Sequence, residues 1–212
     1  MLKVNDLFVS IDGEVNHWGQ GGFSYFIRLA GCKLRCDYCD TKQAQSEKSG
    51  VDFTILSLYK LIQESGLRKV TITGGEPFDQ TQTISLIDFL VSQDLCVSIE
   101  TNGTHDIRKS LPKKRTSVVF DYKLEYQDKM VFNPASLLSS DYIKIIITNF
   151  EEYEQAKHYI NAISTSGKIY LSPAFGLVDP IMLVNQLMAD RLYNVGINMQ
   201  LHKIIFDEES RC

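Results

Sequence analysis

Three cysteines lie close together in the first quarter of the chain, at Cys32, Cys36 and Cys39. They follow a run of aromatic and branched residues, so the thiols would sit on a turn directly after a predicted strand. A structural zinc site takes four protein ligands, usually as two Cys-x2–4-Cys pairs. Neither Cys96, within another predicted strand, nor Cys212, at the end of the sequence, supplies a second pair. Thiolates also hold iron–sulfur clusters, normally four of them, and three leave one iron open to another ligand. The triplet therefore favours a [4Fe–4S] cluster, with zinc and cysteines without a metal as the alternatives.

Composition narrows the class of protein. The 212 residues carry 22 Lys and Arg against 26 Asp and Glu, a net charge of −4, which argues against a nucleic-acid partner. No run of 18 or more apolar residues occurs, and the first residues include Asp6, Asp12 and Glu14, so neither a membrane span nor an export signal is expected. Clustered cysteines without an export signal indicate metal binding in a reducing compartment. We expect a cytoplasmic protein with no membrane partner, folded as a single domain over residues 1–212.

Short β-rich runs alternate with segments of helical periodicity along the chain. Apolar stripes at helical spacing predict helices around residues 56–62, 84–90, 150–163 and 179–192, with Gly66 as the C-terminal cap of the first. Strands are predicted over residues 23–29, 69–73, 96–100, 118–120, 142–147, 168–171 and 198–201. Repeated βα units predict an α/β fold with a mostly parallel sheet, a partial, open barrel of the TIM type.

The polar and glycine-rich motifs are not scattered, because each follows a predicted strand. In a parallel α/β architecture the carboxyl ends of the strands lie on one face, where active sites form. The motifs that should meet there are residues 31–41, 74–77, 100–103, 121–123, 172–173 and 202–203.

The cysteine motif has the form Cys-x3-Cys-x-aromatic-Cys, with Tyr38 as the aromatic residue. It resembles the signature of the radical S-adenosylmethionine (SAM) superfamily. The Gly-Gly-Glu-Pro run at residues 74–77 resembles that superfamily's glycine-rich element, where glycine lets the backbone approach a ligand closely. The resemblance implies that the amino and carboxylate groups of SAM fill the open iron position. An electron from the cluster then breaks a carbon–sulfur bond of SAM.

A more specific resemblance covers nearly the whole chain, to the 7-carboxy-7-deazaguanine synthase family of the queuosine (7-deazapurine) pathway. It is carried by residues 7–14, 26–41, 100–103, 120–124 and 200–203. The chain departs from the family at Val15, where a glycine is usual, and at residues 125–128.

The resemblance implies a lyase that converts 6-carboxy-5,6,7,8-tetrahydropterin to 7-carboxy-7-deazaguanine with loss of ammonia. A 5′-deoxyadenosyl radical removes the C6 hydrogen and the ring contracts. It also implies Mg²⁺ as a further cofactor, a reducing partner such as flavodoxin or ferredoxin, and a homodimer.

The same resemblance implies a role for particular residues. Thr41 would bind Mg²⁺, with capping of the next segment as the alternative, and hydroxyl and carboxylate oxygens suit that ion. Instead of binding a ligand, Arg28 could form a structural ion pair, and so could Asp121 with Lys123. His202 could instead make a structural hydrogen bond. The implied substrate contacts are Asp12, Gly13, Glu14, Arg28, Thr73 and His202. The implied cofactor contacts are Tyr38, Gly75, Glu76, Thr101, Asp121, Lys123 and Ser172.

Two other functions remain open at this stage. A glycyl-radical-enzyme activase shares the three-cysteine loop and the partial barrel, but its substrate is a protein glycine, so Arg28 and residues 12–14 would have no pterin to bind. A zinc-stabilised binding module would need no radical chemistry.

Overall fold

The computed structural model describes residues 1–206, which form one nine-stranded sheet with helices packed against it. The strands are β1 (Leu2–Ile11), β2 (Phe23–Leu29), β3 (Val51–Phe53), β4 (Lys69–Gly74), β5 (Cys96–Thr101), β6 (Thr116–Tyr122), β7 (Tyr142–Ile147), β8 (Lys168–Pro173) and β9 (Val195–Ile197). The helices are α1 (Ile55–Ser65), α2 (Thr83–Ser92), α3 (Phe150–Ala162), α4 (Pro180–Ala189) and α5 (Leu201–Ile205).

The sheet has the order β3-β1-β2-β4-β5-β6-β7-β8-β9. β1 pairs antiparallel with β2 and β3, and every other neighbouring pair is parallel. β3 and β9 form the two edges, so the barrel is open. The predicted α/β fold, a partial barrel of βα units with a mostly parallel sheet, is confirmed. No helix within residues 1–206 combines the length and the hydropathy needed to cross a membrane.

Alternation along the strands gives the sheet two different faces. One face presents fully buried branched residues, among them Ile27, Ile72 and Ile99, which are neighbours across three parallel strands. The helices cover this face with their own apolar side chains, such as Leu58 and Ile62 of α1. Burying an aliphatic side chain of this size contributes about 1.5–3 kcal/mol. The main core of the protein therefore lies between the sheet and its helices.

The opposite, concave face has only a small apolar cluster. Val15, in the loop after β1, packs there with Val119, Tyr142 and Tyr170. Since Val15 is absent from the residues with positive φ, this departure from the usual glycine creates no backbone strain and instead adds apolar contacts. The loop after β1 thus fills part of the concave side, and the remainder carries both polar side chains such as Arg28 and apolar ones such as Phe8 and Phe26.

The sequence prediction was wrong at both ends of the sheet. The long first strand β1 and the short β3 were not predicted as strands. The predicted strand over residues 198–201 does not exist, because pairing with β8 ends at Ile197 and the Asn198 side chain turns inward to bond Glu14 and Ser172. His202 consequently lies on helix α5 and not at a strand end. Cys212 lies outside the described residues.

The cysteine loop is fixed to the sheet by close backbone contacts at Gly75. The amide of Gly75 donates to the Leu29 carbonyl over 2.8 Å, and the amide of Glu76 donates to the Gly31 carbonyl over 2.7 Å. A Cβ atom at Gly75 would collide with the Gly31 carbonyl. Glycine is therefore required for the two loops to meet, whatever ligand binds beside them.

This close approach predicts that Gly75→Ala destabilises the protein by about 2–3 kcal/mol, since backbone atoms must move apart. Gly22→Ala is the matched control, because the nearest atom to its added Cβ is 4.0 Å away and its φ is ordinary. Urea unfolding of the cluster-free chain measures both variants. Equal stability of the two would contradict the packing described above.

Candidate active site

A cavity of about 690 Å³ opens at the carboxyl ends of the parallel strands. Its wall combines side chains from the cysteine loop, the loop after β1, several strand ends and α5. The predicted site residues that line it are Cys32, Cys36, Cys39, Tyr38, Thr41, Gly13, Glu14, Arg28, Thr73, Gly75, Thr101, Asp121, Lys123 and His202.

Strand register explains how residues far apart in sequence meet. Arg28 of β2 pairs with Thr73 of β4, and the Thr73 hydroxyl donates to Glu100 of β5 over 2.7 Å. Asp121 of β6 pairs with Lys144 of β7. Because side chains alternate between the faces of a strand, all five point to the concave side.

The three cysteines sit on a loop that backbone hydrogen bonds hold in place. The Cys32 amide donates to Gln45 over 3.0 Å, and the Cys39 amide donates to the Cys36 carbonyl over 3.2 Å. Burial raises the pKa of the Cys36 thiol to about 12, against the lowering effect of Lys123. Metal ligation by this sulfur must therefore displace a proton.

The three thiols are the kind of donor that an iron–sulfur cluster uses. Cys32, Cys36 and Cys39 come from one loop and all line the cavity, and thiolates are the usual ligands of such clusters. The residues present therefore fit a cluster held by three cysteines.

Asp121 has a carboxylate oxygen without a hydrogen-bond partner among the described residues, and the Thr41 hydroxyl lies 3.8 Å from the Cys39 sulfur. Asp121 Oδ2 receives Lys123 at 2.7 Å, whereas its buried Oδ1 has no hydrogen-bond partner among the described residues. Thr41 stands at the first position before a short 3-10 turn, but its side chain makes no capping hydrogen bond there. A carboxylate oxygen of this kind suits a hydroxyl donor such as a ribose. The Thr41 hydroxyl is an oxygen of the type Mg²⁺ prefers.

A network of opposite charges spans the floor of the cavity. Lys144 lies 3.1 Å from Glu14 Oε1 and 3.3 Å from Asp121 Oδ2. Burial works against ionisation of Asp121, but Lys123 and Lys144 outweigh it and lower the Asp121 pKa. Glu100 differs, because burial and the neighbouring Glu14 raise its pKa to about 7, against the opposing effect of Lys144.

Arg28 is buried, with 7% of its surface exposed, and lines the cavity. Its guanidinium carbon lies 5.1 Å from the centre of the Phe8 ring, which in turn stacks on Phe26 with centroids 4.9 Å apart. Stacking on an aromatic ring holds the planar guanidinium in a defined orientation. The arginine is therefore suited to grip a carboxylate through two hydrogen bonds.

Three predicted contact residues do not line the cavity. Asp12 is buried, pairs with Lys69 and accepts a hydrogen bond from Thr71. Glu76 is fully buried, and its two carboxylate oxygens accept from Phe78, Thr101 and Asn102. The Ser172 hydroxyl exchanges hydrogen bonds with Asn198. In the structure each of the three supports a neighbouring segment from behind the wall.

The His202 ring lies directly against Gly13, where a Cβ atom would collide with it. Its Nε2 is 3.8 Å from Asp40, and Lys203 Nζ reaches the same carboxylate oxygen at 3.1 Å. Helix α5 is thereby tied both to the loop after β1 and to the cysteine loop, which closes one side of the cavity.

Sequence reasoning did not assign a role to Glu100, Lys144 or Asn198. Lys144 has a visible signal, since it is the only charged residue in the strand Tyr142–Ile147. Glu100 lies in a motif that was recognised, but its raised pKa depends on Glu14, which is remote in sequence. Asn198 gave no signal because its partners come from two distant segments, the loop after β1 and strand β8.

Three spaced thiols at the mouth of an open, mostly parallel α/β barrel define a radical SAM enzyme. In agreement, residues 26–119 match the Radical SAM superfamily, and that membership implies a [4Fe–4S] cluster and SAM.

The chain belongs to the 7-carboxy-7-deazaguanine synthase family. It is 37% identical to the 7-carboxy-7-deazaguanine synthase of Clostridium acetobutylicum, over 99% of this chain and 98% of the relative. It is 32% identical to the enzyme of the same name from Chlorobaculum tepidum, over 99% and 96% of the two chains. The crystal structure of QueE from Escherichia coli has the same fold, with a TM-score of 0.69 at 23% identity over 93% of each chain. These relatives favour this family over a glycyl-radical-enzyme activase or a zinc-stabilised module.

The pKa of Glu100 gives a testable pH dependence. Between its ordinary pKa of 4.5 and the raised value of about 7, the folded protein keeps a proton that the unfolded chain has lost. The free energy of unfolding therefore falls as pH rises through this interval. Glu100→Gln has no such proton. As pH rises from 4.5 to 7, its free energy of unfolding should therefore increase relative to that of wild type by on the order of 1–3 kcal/mol.

Urea unfolding at several pH values measures this difference. Glu151→Gln on the exposed start of α3 is the control and should follow the wild type. A constant difference between Glu100→Gln and wild type across the interval would contradict the raised pKa.

Proposed function

We propose that this enzyme converts 6-carboxy-5,6,7,8-tetrahydropterin to 7-carboxy-7-deazaguanine, with loss of ammonia, in the 7-deazapurine (queuosine) pathway. The observation that carries the proposal is that one cavity presents three thiols at one side and Arg28 with Glu14 at another. A cofactor held by the thiols and a carboxylated heterocycle held by Arg28 would then be neighbours. Full-length similarity to enzymes named for this product supports the same assignment.

On the cofactor side, Cys32, Cys36 and Cys39 would hold the [4Fe–4S] cluster. When bound and reduced, the cluster supplies the electron that cleaves SAM and so produces a radical able to remove hydrogen from the substrate. The unpartnered Oδ1 of Asp121 would accept a hydrogen bond from the ribose of SAM, and Lys123 would face the SAM carboxylate. Lys123 Nζ lies 5.1 Å from the centre of the Tyr38 ring, which keeps the ammonium beside the cysteine loop.

On the substrate side, Arg28 would hold the pterin carboxylate in a bidentate grip. Glu14 would accept N–H groups from the guanidine-like edge of the ring. Both oxygens of Glu14 already have protein partners. Gln200 and Lys144 approach Oε1, and Asn198 donates to Oε2. A carboxylate oxygen can accept more than one hydrogen bond, so both can still accept from a ligand. Thr73 and His202 complete the proposed contacts.

Further features of the proposal concern the metal and the assembly. Thr41 would bind Mg²⁺ together with a substrate carboxylate and water, since its hydroxyl faces the cavity without a capping role. We further propose that residues 1–212 form one radical SAM domain, that the enzyme works in the cytoplasm as a homodimer, and that flavodoxin or ferredoxin reduces it.

Cluster binding is checked by metal content after anaerobic reconstitution. Wild type should hold about four irons per chain, and Cys36→Ala should hold less than about half of that because one iron loses its thiolate. Cys96→Ala is the control, since Cys96 begins β5 outside the cavity wall. Equal iron content in Cys36→Ala and Cys96→Ala would contradict the assignment.

The reaction is tested by incubating the reconstituted enzyme anaerobically with SAM, reductant, Mg²⁺ and 6-carboxytetrahydropterin. Mass spectrometry should detect 7-carboxy-7-deazaguanine with the wild type and none with Cys36→Ala. Formation of 5′-deoxyadenosine without this product would support the assignment of radical chemistry and contradict the proposed substrate.

A further inference from the structure

Lys144 is a buried lysine in an otherwise apolar strand. Its side chain is 7% exposed, and the rest of its strand reads Tyr-Ile before it and Ile-Ile-Ile after it. An unpaired ammonium is costly to bury, so Lys144 needs carboxylate partners close to its Nζ atom. Those partners come from two distant parts of the chain, the loop after β1 and strand β6.

The ammonium joins two carboxylates that the proposed function assigns to different ligands. It lies 3.1 Å from Glu14, on the substrate side, and 3.3 Å from Asp121, on the cofactor side. Burial alone would lower the pKa of Lys144, but Asp121, Glu14 and Glu100 outweigh it and raise that pKa. The lysine is therefore a fixed positive charge between the two halves of the cavity.

The contact also determines which oxygen of Asp121 is paired within the protein. Lys123 and Lys144 both approach Oδ2, at 2.7 and 3.3 Å, and this leaves the buried Oδ1 without a protein partner. If Lys144 lost its charge, Asp121 would keep Lys123, whereas Glu14 would keep only the amide donors of Asn198 and Gln200 among the contacts described. Repulsion between carboxylates would then displace Glu14 and Asp121 together.

We infer that Lys144 is a positioning residue that orients the substrate-binding Glu14 and the cofactor-binding Asp121 at the same time, so that the two binding sites share one electrostatic support. This inference rests on the proposed function for the identity of the two ligands. It assigns Lys144 no contact with either ligand and no part in the chemical step.

The test measures affinity for each ligand separately on reconstituted, anaerobic enzyme. Calorimetric titration with SAM alone gives its Kd, and steady-state turnover gives the KM for the tetrahydropterin. Lys144→Met should weaken SAM binding and raise the pterin KM, each at least about tenfold, with the iron content of wild type. Lys144→Arg should recover most of both losses because it keeps the charge.

Lys157→Met is the matched control, since Lys157 pairs with Glu154 and Asp190 on the helix side, away from the cavity. It should bind both ligands as wild type does. If Lys144→Met matches Lys157→Met, or if it weakens only one of the two ligands, the shared support does not exist.

A second variant keeps the test decisive if Lys144→Met does not fold. Glu14→Gln lies on the substrate side, yet it should change the Kd for SAM at least about threefold without any pterin present, because Lys144 then loses the Glu14 charge and keeps Asp121 as its only charged partner within 4 Å among the described residues. An unchanged Kd would overturn the inference. The SAM titrations need no pterin, so they test the inference even if the proposed substrate is wrong. A wrong substrate would show separately, because the wild-type enzyme would then not convert the tetrahydropterin.

Discussion

The ion pairs of Lys144 are the interaction on which the arrangement of the site depends. Charge inside a protein must be balanced, and the concave face of this sheet carries the carboxylates of Glu14, Glu100 and Asp121 beside the ammonium groups of Lys144 and Lys123. The link from Lys144 to Glu14 holds the loop after β1 inside the barrel. The link to Asp121 holds the end of β6. One buried charge thus connects the segments that form opposite walls of the cavity.

The two faces of each strand serve different purposes. Residues such as Ile72 and Ile99 pack under the helices and provide the apolar core, while Thr73 and Glu100, one position further along, face the cavity. Neighbouring residues of one strand can therefore serve the apolar core and the active site respectively, because their side chains point to opposite faces of the sheet. The cysteine loop is joined to this frame through backbone contacts at Gly75 and through the ion pair of Asp40 with Lys203 of α5.

The sequence predicted the parts of the protein that have local patterns. The strands β2 and β7 begin and end where the runs of aromatic and branched residues indicated, and the cysteine spacing indicated a cluster. Strand β1 was missed because its charged and polar residues, Lys3, Asn5 and Asp6, interrupt the apolar run. The end of β9 was misplaced because the strand ends at Ile197 and the Asn198 side chain bonds Glu14 and Ser172, more than 25 residues away, which no local pattern reveals. Lys144 could have been singled out as the only charged residue of its strand, whereas the raised pKa of Glu100 depends on Glu14, which is remote in sequence.

We propose that one cavity holds the SAM-derived radical and the pterin in direct contact. This can be tested with 6-carboxytetrahydropterin that carries deuterium at C6, by following the label with mass spectrometry. We expect deuterium in 5′-deoxyadenosine or in SAM regenerated during turnover. Product formation with no deuterium in either molecule would contradict the proposal, because the hydrogen would then have left by another route.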